Sequence, residues 1–356
     1  MRRALALAAR GTCTTQPNPR VGCVLVRDDE VVGEGWHQRA GEPHAEVFAL
    51  RAAGERARGA DAYVTLEPCA HHGRTPPCAD ALIRAGVARV FVAVGDPFDQ
   101  VAGAGFAKLR AAGIACESGL LEAEARELSR GFLSRIERKR PYLTLKLAMS
   151  LDGRTAMASG ESRWITGDEA RADVHRLRAE AGSVLTSSDT VLADDPELSV
   201  RLPQADKDSW RQPDRVVLDS RARVSASAKV WTGSARRFWL TTSAASAPDG
   251  VETAVLPRDA DGHVSLPAVL SYLAARDVNE VLVECGPRLA GAFLRAGLVD
   301  ELVVYSAPKL LGDAARGLVH LPGLERLADH LALQFTSAEF LGNDLKITAR
   351  PASKEG

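Results

Sequence analysis

Three residues of this 356-residue chain, His44, Cys69 and Cys78, carry the first chemical signal. An imidazole with two thiolates is a borderline-soft donor set that suits Zn²⁺, and three protein ligands leave one coordination position for water. An open position belongs to catalysis. Glu46, two residues after the histidine, is the natural non-ligand partner, a carboxylate that can take a proton from activated water and hand it to a leaving amine.

Zinc deaminases carry H-x-E followed by P-C-x-x-C. His44-Ala45-Glu46 and Pro68-Cys69 fit that pattern, but eight residues rather than two separate Cys69 from Cys78, and they read Ala70-His71-His72-Gly73-Arg74-Thr75-Pro76-Pro77. The alternative is a structural zinc module whose fourth ligand is His71 or His72. Glu46 speaks against it, because a structural site has no use for a proton carrier. A helix expected from Asp80 to Ala85 begins close to Cys78, and a helix N-terminus favours thiolate.

The run from Pro68 to Cys78, with His44-Ala45-Glu46 and Pro17-Asn18-Pro19-Arg20-Val21-Gly22, resembles the deaminase half of the RibD family of bifunctional riboflavin-biosynthesis enzymes. The resemblance implies substrate contacts at Asn18, His37, His71 and Arg74. Chemistry supports two of them independently: an Asn amide can read the donor and acceptor edge of an aminopyrimidine, and a phosphoribosyl tail wants a cation such as Arg74. The plainer readings are a turn residue between two prolines for Asn18 and a solvated loop histidine for His37.

These residues need a scaffold, and the composition describes a globular one. Apolar residues make up 46% and charged residues 26%, and a formal charge of −1 gives no case for a nucleic-acid or membrane surface. The length suits two domains. Met1 to Arg10 has too short an apolar run for a signal peptide and reads as a first helix capped by Gly11. No apolar stretch approaches the roughly 20 residues that cross a bilayer, so a cytoplasmic enzyme is expected. Six cysteines are too few for a disulfide framework, and Cys13, Cys23, Cys116 and Cys285 are expected to be buried small hydrophobes.

In the first half, the apolar run Val21 to Val26 predicts a strand covered on both faces, with Asp28-Asp29 as a hairpin turn into a strand from Val31 to Trp36. Helices are expected at 44–58, 80–85, 106–111 and 122–132, and strands at 62–66, 90–94 and 113–117. Such alternation predicts α/β architecture, a three-layer α/β/α sandwich like cytidine deaminase by the resemblance. Gly103 and Gly105 are only part of a dinucleotide fingerprint, so 96–105 reads as a plain loop. The charged segment Glu137 to Arg140 before Pro141 is the expected boundary between a zinc-dependent deaminase domain, 1–140, and a second domain, 141–356.

The second half opens with strict alternation, Leu143, Leu145 and Leu147 facing one way and Thr144, Lys146 and Ala148 the other. Lys146 is a candidate site residue or a solvated strand lysine. The runs Leu145 to Ala156, Gly160 to Gly167 and Thr190 to Arg201 resemble the reductase half of the same family, a domain similar to dihydrofolate reductase. Arg163 stands where many relatives have Gln. The resemblance implies reductase substrate contacts at Lys146, Ser162, Arg178, Leu198, Arg201 and Glu284. It implies cofactor contacts at Ala148, Trp164, Thr190, Asp194, Ser220, Gly286, Pro287, Arg288, Leu289, Ala290, Gly291 and Ala292.

Physical chemistry supports these roles in outline. A substrate that keeps a ribose 5-phosphate presents a dianion, and Arg178 and Arg201 are suitable cations. A strand at 281–284, a Cys285-Gly286-Pro287 turn and a helix from Leu289 make an anion cradle for a pyrophosphate, or a simple tight turn. Arg288 replaces the threonine common in relatives. Ser220 and Arg221, after a strand at 216–219, could receive a 2′-phosphate, which would select NADPH. Asp194 and Lys146 are candidates for protonation and ring-opening support. Apolar strands at 299–305 and 345–349 suggest an exposed edge and a homo-oligomer, dimer or tetramer.

The expected function is therefore a bifunctional enzyme: zinc-dependent deamination of a diaminopyrimidine phosphoribosyl substrate, then NADPH-dependent reduction of its ribosyl group. One rival is a deaminase of free nucleosides or nucleic acid with the second half as a binding module. The other is a zinc-stabilised scaffold without activity.

Overall fold

The computed structural model describes residues 1–70, 76–97, 103–202 and 209–352. The chain divides into two compact units, Met1–Arg140 and Pro141–Gly356.

The first unit runs α1 (Arg2–Ala9), β1 (Gly22–Arg27), β2 (Glu30–Trp36), α2 (Ala45–Ala53), β3 (Asp61–Leu66), α3 (Cys78–Ala85), β4 (Arg89–Val94), α4 (Ala104–Ala111), β5 (Ala115–Ser118), α5 (Glu122–Leu128) and α6 (Arg130–Arg138). Its sheet has the order β2-β1-β3-β4-β5. The β1–β2 hairpin closes on Asp28 and Asp29 at φ 52° and 62°, the left-handed pair that a two-residue turn between twisted strands demands. Strand β1 is antiparallel to β3, while β3, β4 and β5 run parallel.

Missing side chains set the layer spacing. A Cβ on Gly22 would lie 2.0 Å from the Ala4 carbonyl oxygen of α1, and one on Gly35 would lie 2.4 Å from the Ala45 oxygen of α2. Gly35 pairs with Cys23, next to Gly22 on the same strand, so the two glycines serve opposite faces of the sheet. Helices α1 and α2 thus lie against the sheet from its two sides, and the expected α/β/α sandwich is what forms.

Some local expectations change. The helix expected to 58 stops at Ala53, where Gly54 turns to φ 56°, and a 3₁₀ turn follows over Gly54–Ala57. The helix expected over 122–132 breaks at Ser129, whose hydroxyl donates to the Arg20 carbonyl oxygen at 3.3 Å. Helix α3 starts at Cys78 itself. Cys23 is buried as expected, but Cys13, Cys116 and Cys285 are only partly buried.

The second unit contains β6 (Tyr142–Ser150), β7 (Arg154–Ala156), α7 (Asp168–Ala181), β8 (Ser183–Ser187), α8 (Ser188–Asp194), β9 (Asp214–Leu218), β10 (Arg237–Thr241), β11 (Glu252–Val255), α9 (Leu266–Ala274), β12 (Glu280–Glu284), α10 (Pro287–Arg295), β13 (Glu301–Ala307), β14 (Arg316–Gly317), β15 (Leu333–Leu341) and β16 (Asp344–Pro351). Its large sheet has the order β11-β10-β9-β8-β12-β6-β13-β16-β15. The strands from β11 to β13 are parallel, and β16 and β15 close that end antiparallel. Parallel strands covered on both faces favour apolar residues, which is why β9 and β12 carry the unbroken runs Val216 to Leu218 and Val281 to Val283.

The expected exposed strand at 299–305 is a correction. Strand β13 is buried along its whole length between β6 and β16. The open edge is β15, where Phe335 and Phe340 are 74% and 79% exposed.

Gly35→Val should push α2 off the sheet and destabilise the first unit by about 1–3 kcal/mol, the usual cost of overpacking. Thermal melts with zinc quantification check it: zinc is expected to be lost together with stability, because His44 begins the displaced helix.

Candidate active sites

In the first unit the end of β3 meets the starts of α2 and α3. His44 is the residue just before α2, with extended backbone, and Cys78 is the first residue of α3. Cys69 follows β3 and accepts hydrogen bonds there, from the Cys78 N–H to its Sγ at 3.3 Å and from the Ala79 N–H to its carbonyl oxygen at 3.1 Å. His44 Nδ1 lies 3.2 Å from Cys78 Sγ and 3.7 Å from Cys69 Sγ, and the three ligand atoms all fall within 4.8 Å of one another. Tetrahedral zinc at its usual bond lengths holds its donors about 3.5–3.8 Å apart. The donor set fits the ion.

Electrostatics set the two thiols apart: hydrogen bonds from Cys78 and the nearby His44 lower the Cys69 thiol, and the same bond to Cys69, with burial, raises that of Cys78. Glu46 is 3% exposed, and among the described residues its Oε2 has no hydrogen-bond partner. Burial raises its carboxyl above the usual range, partly offset by His44. A buried oxygen left bare costs stability and marks a group kept for a ligand or a proton.

His37 proves not to be a solvated loop residue. It is 2% exposed, its ring stands edge-on to His44 at 5.5 Å, and its Nδ1 lies 3.1 Å from the Pro43 carbonyl oxygen. With Nδ1–H donating there, Nε2 accepts from the Asn18 amide nitrogen at 3.0 Å. Asn18 is thus more than a turn residue, since its amide orientation is set by this bond. His71, His72 and Arg74 lie outside the described residues.

Glu67 is a positioning residue that the sequence reading passed over. It is buried and accepts from the backbone N–H groups of Asp96, Gly103, Gly105 and Phe106 at 3.0–3.3 Å. A Cβ on Gly105 would stand 2.1 Å from the Pro68 oxygen. The first turn of α4 and the residues leading into it are therefore stapled to Glu67, two residues before Cys69. The available signal was a carboxylate ending an apolar strand.

The second unit gathers its candidates at the carboxyl ends of the parallel strands, where ligands of open α/β sheets bind. Lys146 of β6 and Glu284 of β12 are register partners. Arg178 of α7 forks onto Glu284 at 2.6 and 2.9 Å and donates to the Ser199 carbonyl oxygen at 2.9 Å. Both members of the ion pair are nearly buried, at 12% and 13% side-chain exposure. Arg178 holds the Glu284 carboxyl below its usual range, and burial lowers Lys146, whose Nζ lies 5.6 Å from the Tyr305 ring centre. Arg201 is exposed and donates to Ser199 Oγ at 3.0 Å.

Other candidates are placed less directly. Leu198 is 3% exposed and packs with Val184, Val191 and Val217, so its side chain belongs to the core; its backbone sits at φ 52°. Trp164 is 63% exposed, with Arg171 over its ring at 4.7 Å and its carbonyl oxygen accepting from Lys309 at 2.9 Å. Arg163 donates to the Asp194 carbonyl oxygen at 2.8 Å, so the departure from Gln links two motif runs. Ser162 and Ala148 are half-buried, and Thr190 lies in the first turn of α8, its N–H donating to Ser187 Oγ at 3.3 Å. Ser220 Oγ accepts from the Val264 N–H at 3.0 Å.

Gly286 precedes α10 with open space where a Cβ would be, and the helix leaves the Arg288 and Leu289 N–H groups without intrahelical partners, an arrangement that fits a pyrophosphate. Further along α10 the expectation narrows. Ala290 is fully buried in the core, Leu289 and Ala292 pack against it, and a Cβ on Gly291 would lie 1.9 Å from the His320 oxygen, so Gly291 serves packing. Pro287 opens the helix and accepts from the His320 N–H at 3.0 Å, and Arg288 is exposed.

Residues 1–94 match the model of the cytidine and deoxycytidylate deaminase zinc-binding region, and residues 141–347 match the RibD C-terminal domain. The riboflavin biosynthesis protein RibD of Escherichia coli K12 is 54% identical over 355 residues, covering 97% of this chain and 96% of that protein. The chain belongs to the RibD family. The Haemophilus influenzae RibD is 50% identical, covering 99% of this chain and 96% of its own. Among solved structures, Acinetobacter baumannii RibD, form 1, superposes with TM-score 0.92 at 45% identity, covering 99% and 98% of the two chains. A Thermotoga maritima diaminohydroxyphosphoribosylaminopyrimidine deaminase/5-amino-6-(5-phosphoribosylamino)uracil reductase superposes with TM-score 0.87 at 36% identity, covering 99% and 97%. As a RibD, the chain is a bifunctional riboflavin-biosynthesis enzyme, a zinc-dependent deaminase joined to an NADPH-dependent reductase. The inactive scaffold and the nucleic-acid deaminase are set aside.

His175, one turn before Arg178, is pushed down to about 4 from 6.5, by burial first and then by Arg178 and Arg201. Between those values the unfolded chain binds a proton that the folded chain refuses, so stability must fall as pH drops from about 6.5 to about 4. Glu284, with its folded value depressed, adds a contribution in the same direction below its unfolded value of 4.5. Urea unfolding at stepped pH checks this; His175→Gln should flatten the upper part of the slope, and an unaltered slope would refute the assignment.

Proposed function

We propose that the first unit deaminates 2,5-diamino-6-(5-phosphoribosylamino)pyrimidin-4(3H)-one and that the second reduces the ribosyl group of 5-amino-6-(5-phosphoribosylamino)uracil. The observation that carries the first step is the bare, buried Oε2 of Glu46 beside the His44, Cys69 and Cys78 donor atoms. His44, Cys69 and Cys78 would hold zinc, which would supply Lewis acidity toward a water molecule. Glu46 Oε2 takes a proton from the attacking water and delivers it to the leaving amino group, which departs as ammonia as its C–N bond breaks. Asn18 has committed an amide N–H to His37, so its Oδ1 is left to accept from a substrate amine. His37 acts through Asn18 and through the His44 ring. His71 and Arg74 are assigned to the pyrimidine and the phosphate from the motif.

In the reductase, NADPH supplies the hydride for the sugar C1. Glu284, fixed by Arg178, and Lys146 bind the ribosyl group side by side, and Lys146 donates a proton as the ring opens. Ser162, the Leu198 backbone and Arg201 complete the substrate contacts. Ala148, Trp164, Thr190, Asp194 and Ser220 line the cofactor, with the start of α10 on its pyrophosphate.

Glu46→Gln should cut ammonia release about 10²–10⁴-fold, the usual contribution of a general acid–base group, while zinc content and NADPH oxidation on the deaminated uracil substrate stay at wild-type levels. Full ammonia release by the variant would remove Glu46 from the mechanism. A chelator should abolish ammonia release and spare NADPH oxidation.

We further propose a homo-oligomer that uses the outer edge of β15, the last strand of the sheet, where Leu333, Phe335 and Phe340 stand exposed. The cytoplasm is the proposed location, since no disulfide joins any of the six cysteines. Sedimentation should give a wild-type dimer or tetramer and a smaller species for Phe335→Glu; a monomeric wild type would exclude the assembly.

A further inference from the structure

Two side chains of α7, His175 and Arg178, and two neighbours in sequence, Glu197 and Arg201, converge on one residue of the second unit. Ser199 is buried, and its carbonyl oxygen accepts from Arg178 Nη1 at 2.9 Å. His175 Nδ1 lies 3.1 Å from that same oxygen and 3.2 Å from the Arg201 nitrogen. As the Nδ1–H tautomer it donates to Ser199, and as the other it accepts from the Arg201 N–H; in both cases it ties α7 to this segment. The Ser199 hydroxyl donates to Glu197 Oε2 at 3.0 Å and accepts from Arg201 Nη1 at 3.0 Å. The backbone just before it takes the left-handed region at Asp195 and Leu198, conformations that surrounding contacts must enforce.

The two arginines are not equivalent. Arg178 is nearly buried and its charge is cancelled by a two-pronged bond to Glu284. Arg201 is 61% exposed at its side chain, and its carboxylate partner among the described residues is Glu197 at 3.6 Å, itself 48% exposed. A surface pair of that kind contributes little, so an incoming dianion can displace it. Of the two arginines, Arg201 is therefore the one available to a phosphate. Its long side chain has many rotamers to lose, and the Ser199 hydroxyl is the group that restricts them.

We propose that Ser199 is a positioning residue that sets the reductase's preference for a phosphorylated substrate: its hydroxyl aims the Arg201 guanidinium, while its carbonyl anchors the segment to Arg178 and His175. This rests on the reading that Arg201 meets the phosphate of 5-amino-6-(5-phosphoribosylamino)uracil. Arg178 serves the same site through Glu284 and leaves phosphate selection to Arg201.

The test follows NADPH oxidation by the full chain with that substrate and with its dephosphorylated counterpart. Ser199→Ala should raise KM for the phosphorylated substrate about tenfold, with kcat changed less than about twofold and KM for NADPH unchanged, while kcat/KM for the dephosphorylated substrate holds. Ser199→Thr, which keeps the hydroxyl, should restore KM. Equal losses on both substrates, or a wild-type KM in Ser199→Ala, would overturn the proposal. Arg201→Ala separates the two levels. If it leaves the preference for phosphate intact, the underlying reading fails. If it abolishes the preference while Ser199→Ala does not, the role of Ser199 alone fails.

Discussion

A carboxylate taken out of water must be saturated with donors, paired with a cation or left poised, and each unit is organised around such groups. Glu67 is saturated: four backbone N–H groups converge on it, and it can only staple. Glu46 keeps one oxygen without a hydrogen bond among the described residues, a state that costs stability and is the one expected of a group reserved for a ligand or a proton. Glu284 is paired with Arg178, which keeps it ionised in a place where it would otherwise neutralise. Its charge in turn favours the ammonium of Lys146 on the adjacent strand against the burial that opposes it. Removing Arg178 would strand that carboxylate, an error of a different order from losing a surface pair.

The placement of these groups follows from parallel sheet geometry. Parallel strands deliver their carboxyl ends to one edge of the sheet and pass the chain into helices whose free N–H groups start near that edge. Glu67 and Cys69 follow β3, and Cys78 begins α3 beside them. Glu284 ends β12, and Gly286 precedes α10. The two units share no motif, yet each assembles distant residues by this one device. It is also why apolar strands alone do not locate a site, while the polar residues that end them do.

Most of the scaffold was legible because burial on both strand faces leaves an unmistakable apolar run, as in Val216 to Leu218 and Val281 to Val283. The metal set was legible because ligands and proton carrier are fixed by residue type. What escaped notice depends on tertiary contacts. His37 looks solvated until Pro43 and Asn18 are seen to occupy both of its nitrogens. Strand β15 is exposed along nearly its whole length, so no core imposed a period on it. Ser129 breaks a helix through its tertiary setting, beside the Arg20 carbonyl oxygen that its hydroxyl bonds. Leu198 was read as a contact by its place in a motif, and its side chain turns into the core because the left-handed backbone there turns it.

Arg163 shows how a departure from a family pattern can still be consistent with the site. The segments 160–167 and 190–201 are separate in sequence, and each carries residues assigned to the same ligands. The Arg163 guanidinium spans them, donating to the Asp194 backbone and lying 3.4 Å from its carboxylate. The extra positive charge therefore arrives with its counter-charge and adds little to the field felt by a bound anion. What it changes is the freedom of Asp194, whose carboxylate now shares a partner before any cofactor arrives. A glutamine in that place could offer the Asp194 carbonyl oxygen a hydrogen bond but no compensating charge, so what the arginine adds is an ion pair that ties the two segments together.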